Sequence, residues 1–412
     1  MNSQDKLRIL YVSMADVSQP NGPGVNEREF LLSLYARLGT RMHALIPNPA
    51  RPCAELDPSR TTFYRNPRRW DLAGFLLQQR ELYRQIRHLS SASPFDLMVV
   101  RLSLLPLGCA WLGKRTLPLA IKTLGEVQGF TQNRGVKGAI AKLLGPPNAA
   151  LFQRIVKRAI AVDCCTERHY YDHLHDYALD PEKLLVVQNA TNVTRFYPGP
   201  VRDARTTLGF NHFDPVIGFV GGSPAERGGM QMLELAVRLR DSFPRLGIVI
   251  VGRDTNGILQ RRAQELHVED RALITGEVAY EEVPTYIRAF DLGMALDRPS
   301  RWQLTGNSYQ KVRQYLACGK PVVTCIEPES ELVRQGFVQP VPADDLAAIE
   351  HAVRGLLART SSTQEAFTER AARFAREYLS TELTLDQRLQ FWEQRLDESR
   401  RNRSSHRLSR AA

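Results

Sequence analysis

Short apolar runs and segments with helical spacing follow one another along most of the chain. Apolar runs such as Leu7–Ser13 and Pro215–Val220 are typical of buried strands. Segments such as Asn26–Leu38 and Met230–Leu239 carry apolar residues three or four positions apart, which predicts amphipathic helices. Strands that alternate with helices of about ten residues indicate a parallel, doubly wound sheet.

The alternating pattern occurs twice, and the break between the two occurrences predicts two domains. Residues 189–200 contain two prolines and little periodicity, as expected of a linker. We therefore predict an α/β protein with two Rossmann-like domains whose parallel sheets face each other across a cleft. The predicted units are an N-terminal domain over 1–195, a C-terminal domain over 196–380, a helix over 381–398 for which a return to the first domain is left open, and a basic disordered tail over 399–412.

Further elements complete the two halves. The other predicted strands lie at 41–46, 95–100, 117–122, 184–187, 248–251, 273–275 and 292–296. The other predicted helices lie at 137–144, 151–161, 259–266, 281–288 and 363–395.

The stretch Gln303–Thr324 predicts a helix that ends at a glycine turn before a buried strand. Gly319 stands where a left-handed helix terminus favours a residue without Cβ. Asn307, Lys311 and Gln314 are three or four positions apart and share a polar face. We interpret this face as a site for a nucleotide-linked phosphate and its sugar, and an ordinary solvated helix face remains the alternative.

Composition and charge narrow the class of protein. A hydrophobic content of 43% with 24% charged residues is ordinary for a globular protein, and no apolar run is long enough to predict a membrane span or a secretory signal. The six cysteines show no CxxC spacing, which favours reduced thiols in a cytoplasmic protein over disulfides or zinc. The net charge of +11 favours anionic partners.

Four stretches together resemble the GT-B fold glycosyltransferases, and in particular the retaining glycosyltransferase family 4 group. The first joins LRILYVS to NGPGVNEREFLLSL and resembles the family's first strand, glycine loop and helix. The others are VVQNATNVTRFYP, IGFVGGSPAERGGM, and ITGEVAYEEVPTYIRAFDLGMAL with KVRQYLACGKPVV. They resemble the family's interdomain segment, its phosphate loop and the end of its donor site.

The resemblance implies an activity and its partners. A member of this family moves a sugar from a nucleotide-sugar donor to a lipid-linked or polysaccharide acceptor, with retention of anomeric configuration. We expect a cytoplasmic protein at the inner face of a membrane, in contact with anionic lipid, that needs no cofactor and no metal. A non-catalytic nucleotide-sugar-binding or scaffold protein of the same fold is the alternative.

The resemblance also implies site residues, and the chemistry explains the residue types. Backbone N–H groups at glycines approach phosphate closely, while Arg and Lys supply positive charge. The implied catalytic residues are Arg227, Lys311 and Gln314. The implied donor-binding residues are Gly22, Gly24, Gly221, Gly222, Gly228, Val278, Asn307 and Ser308, and the candidate acceptor-binding residues are Glu126, Arg68 and Arg69.

The chain departs from the family pattern at several of these positions. Gly306 and Gln314 stand where the family usually has two glutamates, and Gly222 stands at a usually basic position. The loop at 123–126 lacks the histidine that members often keep there. These departures leave the identity of the donor open and motivate the non-catalytic alternative.

Other features have competing interpretations. Residues 61–89 interleave arginines with aromatic residues, which fits contact with anionic headgroups, an acceptor groove or a solvated basic helix. His169 and His173 are an i, i+4 pair, for which we predict a solvated face in preference to a zinc site. Nucleic-acid binding is disfavoured because no recognition helix or zinc spacing accompanies the charge, and a dehydrogenase because no GxGxxG opens either half.

Overall fold

The computed structural model describes residues 7–19, 22–66, 72–102, 106–112, 117–123, 135–297, 310–328 and 330–411, without the side chains of 135–144, 403 and 405–411. Within these ranges the chain forms two parallel sheets, one after the other, and the predicted α/β class is confirmed. No helix in the described ranges is both long enough and apolar enough to cross a membrane.

The first sheet has seven strands in the order β3-β2-β1-β4-β5-β6-β7. They are β1 (Ile9–Ser13), β2 (Met42–Pro47), β3 (Thr61–Tyr64), β4 (Leu97–Arg101), β5 (Leu119–Lys122), β6 (Ala161–Cys164) and β7 (Leu184–Val186). Both faces of β1 are buried, since Leu10 and Val12 pack into one apolar cluster and Ile9 and Tyr11 into another. Helices on both faces of a parallel sheet produce this continuous apolar pattern.

The helices of the first half partly follow the prediction. They are α1 (Gly22–Leu38), α2 (Leu72–Ala92), α3 (Leu107–Ala110), α4 (Gly135–Val156) and α5 (Glu167–Asp176). One helix, α4, runs through Pro146 and Pro147, where the sequence predicts a gap between two helices. The sequence analysis also missed β3 and β6 as strands, because the first lies in a basic, aromatic stretch and the second carries the charged Asp163.

The second sheet has six strands in the order β10-β9-β8-β11-β12-β13. They are β8 (Val216–Val220), β9 (Gly247–Val251), β10 (Ala272–Gly276), β11 (Leu292–Ala295), β12 (Val322–Thr324) and β13 (Val338–Pro340). The helices are α6 (Val201–Thr207), α7 (Gly229–Arg238), α8 (Ile258–Glu265), α9 (Val283–Ala289), α10 (Gln310–Ala317), α11 (Glu331–Arg334), α12 (Leu346–Leu357) and α13 (Ser361–Tyr378).

The strand orders locate a switch point in each sheet. In the first sheet β1 lies between β2 and β4. The chain therefore adds β2 and β3 on one side of β1 and adds β4 to β7 on the other side. In the same way β8 lies between β9 and β11. Ligands of open α/β sheets bind where the strand order reverses, beyond the carboxyl ends of the strands. The loops after β1 and β8 are therefore at the two switch points, and the predicted glycines lie in these loops or at the start of the helices that follow them.

The last helix, α14 (Thr381–Ala411), returns to the first sheet. Asp163 on β6 accepts hydrogen bonds from Arg388 Nε and Trp392 Nε1, both at 3.0 Å. The helical conformation is interrupted between α13 and α14, where the sequence predicts one continuous helix. At this break the Thr191 N–H donates to the carbonyl oxygen of Leu379 at 2.8 Å, so the linker pairs with the chain between the two helices.

The basic end of the chain is helical, which corrects the predicted disordered tail over 399–412. The helix α14 continues to Ala411. Arg400 lies 2.5 Å from Asp96 and 3.9 Å from Asp397, so acidic partners from the first domain and from the preceding turn offset part of the positive charge. The sequence of the tail contains no acid, and for that reason it gives no sign of these partners.

A buried ionic cluster fixes α1 to the first sheet. The Glu27 carboxylate lies 3.1 Å from Lys122 Nζ and 3.2 Å from Arg101 Nε, and it accepts a hydrogen bond from the Tyr11 hydroxyl. Burial by itself would raise the pKa of Glu27, but Lys122 and Arg101 lower that pKa below its usual value. The carboxylate therefore stays ionised and links α1 to the carboxyl ends of β4 and β5.

Candidate functional site

The turn after β8 depends on glycine because two backbone segments approach each other closely. Gly221 has a φ of +139°, and its N–H donates to the carbonyl oxygen of Val251 at 2.9 Å. A Cβ on Gly252 would collide with the carbonyl oxygen of Gly221. These contacts hold the ends of β8 and β9 together at the switch point of the second sheet.

Lys311 reaches this turn from α10. Its Nζ lies 4.0 Å from the centroid of the Phe219 ring, and 3.4 Å from the position that a Cβ on Gly221 would occupy. A Cβ at position 221 would be in van der Waals contact with the ammonium group, so the group lies directly beside the glycine backbone. A cation beside glycine backbone at a strand end is an arrangement suited to phosphate. The structure thus brings together two of the predicted site residues, Gly221 and Lys311.

Arg227 and Gly228 close the same loop at the start of α7. Arg227 Nε lies 3.9 Å from Asp297 Oδ2, and its side chain is 20% exposed. Gly228 has a φ of +106°, and a Cβ there would lie 3.2 Å from Leu296 Cβ. The loop after β8 therefore packs against the segment after β11. Lys311, on α10, lies beside the beginning of this loop at Gly221, and Arg227 belongs to the end of the loop.

Tyr315 links β8 and β11 near this loop through hydrogen bonds. Its hydroxyl accepts a hydrogen bond from the Val220 N–H at 2.8 Å and donates to the Met294 carbonyl oxygen at 3.5 Å. Burial raises the pKa of Tyr315, so the hydroxyl stays protonated. The sequence analysis placed Tyr315 on the apolar face of its helix and missed this role, because its partners are backbone atoms of distant strands.

Gln314, Gly222 and Val278 also lie in the second domain. Gln314 is on α10 and is 5% exposed. Gly222 is exposed, and a Cβ there would meet nothing within 4 Å. Val278 follows β10 and packs, half-buried, against the core. Their roles in donor binding stay predictions.

Gly22 and Gly24 lie at the switch point of the first sheet. The sequence predicts a loop for them, and this is wrong: both belong to the first turn of α1. A Cβ on Gly24 would lie 3.0 Å from the carbonyl oxygen of Asp16 and would collide with that of Gln19. Gly24 therefore lets the helix begin directly against the loop after β1, so that its first N–H groups lie at this switch point. The remaining predicted residues, Asn307, Ser308, Glu126, Arg68 and Arg69, are outside the described residues.

A polar cluster at the linker joins the two domains. Arg195 lies 3.6 Å from Glu29, 2.9 Å from Glu55 and 3.6 Å from Glu281, and its guanidinium is 5.0 Å from the Tyr280 ring centroid. Glu29 and Glu55 belong to the N-terminal half, whereas Glu281 and Tyr280 belong to the second domain. The sequence analysis missed this cluster because its members are far apart in the chain and show no common spacing.

The histidine pair on α5 is buried, which corrects the predicted solvated face. His169 and His173 are 3% and 6% exposed, and the Phe152 ring packs against His173. Burial lowers the pKa of His169 to about 4, so the ring is neutral. Among the described residues, no group of three or more His, Cys, Asp or Glu side chains is placed to hold a metal ion.

Comparison with known sequences finds a family match within the second domain. Residues 214–359 match the model of the family described as glycosyl transferases group 1. A D-inositol 3-phosphate glycosyltransferase from Geodermatophilus obscurus is 28% identical over 214 residues, which are 49% of this chain and 46% of that protein. One of the same name from Mycobacterium sp. (strain JLS) is 26% identical over 238 residues, 56% of this chain and 52% of that protein. The chain spans about half the length of these curated relatives.

Solved structures extend the likeness to both domains. Sucrose-phosphate synthase from Thermosynechococcus elongatus superposes with a TM-score of 0.71 at 16% identity, covering 94% of this chain and 99% of that one. Anabaena HepE in complex with UDP and glucose superposes with a TM-score of 0.68 at 15% identity, covering 94% of this chain and 100% of that one. At such identities the likeness concerns the fold. Taken together, the comparisons show the GT-B fold over both domains and a match to the glycosyl transferases group 1 within the second domain.

Proposed function

We propose that the protein transfers a sugar from a nucleotide-sugar donor to an acceptor. The observation that carries this proposal is the Lys311 ammonium group beside the Gly221 turn, at the switch point of the second sheet. Arg227 ends the same loop and adds a second cation. The relatives are named as glycosyltransferases, and the HepE structure contains UDP and glucose, which supports a nucleotide-sugar donor.

The proposed chemistry follows from the charge that the leaving group gains. When the bond between the anomeric carbon and the diphosphate breaks, the bond electrons remain on the phosphate oxygen. Fixed donors aimed at that charge stabilise the transition state, and the loss of one typically costs about 10² to 10³ in rate. Lys311 would act as a point charge, whereas Arg227 could leave Asp297 and bind two phosphate oxygens. We propose that no metal is needed, so activity should persist in a chelator.

The acceptor and the stereochemistry belong to the same proposal. The resemblance to the retaining family 4 group supports retention and a lipid-linked or polysaccharide acceptor. The curated relatives are named for D-inositol 3-phosphate, so a phosphorylated polyol belongs in the acceptor screen. Nuclear magnetic resonance of the purified product would give the anomeric configuration, and an inverted product would contradict retention.

We also propose that the protein works at the cytoplasmic face of a membrane, docked through α2. Phe75, Leu82 and Ile86 pack inward on this helix. Its outer face, called the α2 face below, exposes three leucines and three arginines: Leu72, Leu76, Leu77, Arg80, Arg84 and Arg87. Exposed leucines next to arginines suit the interface of an anionic bilayer. Docking there would bring a lipid-linked acceptor to the first domain.

Sedimentation with vesicles tests this docking. The protein should bind phosphatidylglycerol vesicles and should bind phosphatidylcholine vesicles much less. Leu76→Ser with Leu77→Ser should remove most of that binding, whereas Val237→Ser, at an exposed apolar position of α7, should not. Equal binding to both lipids would contradict an anionic docking surface.

A thermal-shift screen against UDP, GDP, ADP and CMP sugars tests the donor. A ligand present at 100 times its dissociation constant stabilises the folded state by about 2.7 kcal/mol, which raises Tm measurably. Turnover with the selected donor and an acceptor extract then tests the transfer itself. No stabilisation by any nucleotide sugar would refute the proposal.

Gly306 and Gln314 favour a second candidate, a nucleotide-sugar-binding protein without catalysis. These two residues are neutral in this chain, whereas the family that the sequence resembles usually has glutamates at both positions. This candidate predicts a stabilising nucleotide sugar that is neither hydrolysed nor transferred. Release of free nucleoside diphosphate over time, measured with a coupled assay, separates the two candidates.

A further inference from the structure

The helix that carries Lys311 also contacts the first domain. Gln310 Nε2 donates to the carbonyl oxygen of Ala190 at 2.6 Å, and Arg313 Nη2 donates to Gln188 Oε1 at 2.6 Å. Both acceptors follow β7, the last strand of the first sheet. Residues two positions apart on a helix point about 200° away from each other. Arg313 and Lys311 are therefore on nearly opposite sides of α10, one toward each domain.

Arg313 is buried although its side chain is charged, and the burial of a charge opposes folding. Arg313 is 1% exposed and is one of the largest fully buried side chains. Burial lowers the pKa of its guanidinium to about 10, and Cys165, just after β6 in the first domain, acts against this shift. Removing a charged group from water is unfavourable, and such groups can serve to fix an orientation. An apolar side chain would fill the same space without that cost.

We propose that Arg313 is a positioning residue that sets the orientation of the first domain relative to Lys311. The inference rests on the proposed function, because it concerns the distance between an acceptor on the first domain and a donor beside Lys311. The donor site lies within the second domain, so loosening Arg313 should leave nucleotide binding intact. Transfer should suffer, because a misplacement of about 1 Å can cost 10²-fold in rate.

The test compares Arg313→Met with Arg334→Met, the same change at an exposed arginine of α11. For Arg313→Met we expect UDP to bind within twofold of wild type while kcat for transfer falls about tenfold or more. Arg313→Lys should restore part of kcat, because a lysine can still donate to Gln188. Gln188→Ala removes the same contact from the first-domain side, so it should also lower kcat while UDP affinity stays within twofold of wild type. The double variant should lose no more kcat than the stronger single variant, because both changes remove one contact.

Two kinetic outcomes would overturn the inference: transfer within twofold of wild type in Arg313→Met, or UDP affinity and kcat falling in the same proportion. If Arg313→Met does not fold, the Gln188→Ala variant decides in the same way, since Gln188 is exposed.

The distance between the domains provides a readout that does not need activity. Spin labels at Ser91→Cys on α2 and Glu365→Cys on α13, with Cys53→Ser, report that distance. We expect a broader distance distribution in Arg313→Met than in Arg334→Met, and identical distributions would overturn the inference. A wild-type protein that binds UDP but transfers no sugar would refute the proposed function and leave this measurement to decide the role of Arg313.

Discussion

Replacing Lys311 by methionine removes the positive charge at the candidate site. Methionine keeps most of the aliphatic chain, so the contact with the Phe219 ring is largely retained. The ammonium group lies 4.0 Å from that ring centroid, a cation–π contact. Such contacts contribute about 0.5 to 2 kcal/mol, so we expect the loss of this contact in Lys311→Met to lower the free energy of unfolding by about that amount.

The expected effect on turnover is much larger. An oxygen at the position of a Cβ on Gly221 would lie 3.4 Å from Lys311 Nζ. At about 4 Å and an effective dielectric constant near 20, two unit charges attract by about 4 kcal/mol, which corresponds to a factor of roughly 10³. Measured losses for a single donor to a developing negative charge are about 10² to 10³. We therefore expect kcat to fall by about 10² or more.

The assay is release of nucleoside diphosphate during transfer, with UDP affinity measured by calorimetry. Lys157→Met is the matched control, since Lys157 is exposed on the first domain. Lys311→Arg keeps the charge but changes its geometry, and it should lose less than Lys311→Met. Turnover within twofold of wild type in Lys311→Met, with a native circular dichroism spectrum, would remove Lys311 from the site and refute the reasoning.

Three further predictions concern the supports of the site. Gly222→Arg adds a cation at a position that is usually basic in the family. It should tighten UDP binding by about 1 kcal/mol, roughly fivefold. Unchanged affinity in calorimetry would show that Gly222 lies away from the phosphate. Tyr315→Phe leaves the buried Val220 N–H without its acceptor and should cost about 1 to 3 kcal/mol of stability in urea unfolding. Glu27→Gln should destabilise by about 3 to 5 kcal/mol, and adding Lys122→Met should recover part of this, which a double-mutant cycle measures. Because the pKa of Glu27 is lowered in the folded state, its contribution is present above the usual value of 4.5 and is lost as pH falls through the lowered value. Acid unfolding of Glu27→Gln should lack that part of the pH dependence.

Local patterns in the sequence were sufficient for the class of fold and for part of the site. The alternation of apolar runs with helical spacing predicted strands and helices because each element buries a face of its own period. The glycines after β8 and the lysine before the Gly319 turn were recognisable because their residue types suit phosphate. The structure brings Gly221 and Lys311 to one turn, as that interpretation requires.

Only the tertiary structure decided which distant residues meet. β6 was missed because it carries the charged Asp163, whose buried partners Arg388 and Trp392 come from the last helix. The buried histidines were misjudged because their cover comes partly from the Phe152 ring on another helix. The contact of Arg313 with the first domain has no local signal, since its acceptor comes from another part of the chain. Burial and pairing of charge depend on neighbours in space, whereas strand and helix periods depend on neighbours in sequence.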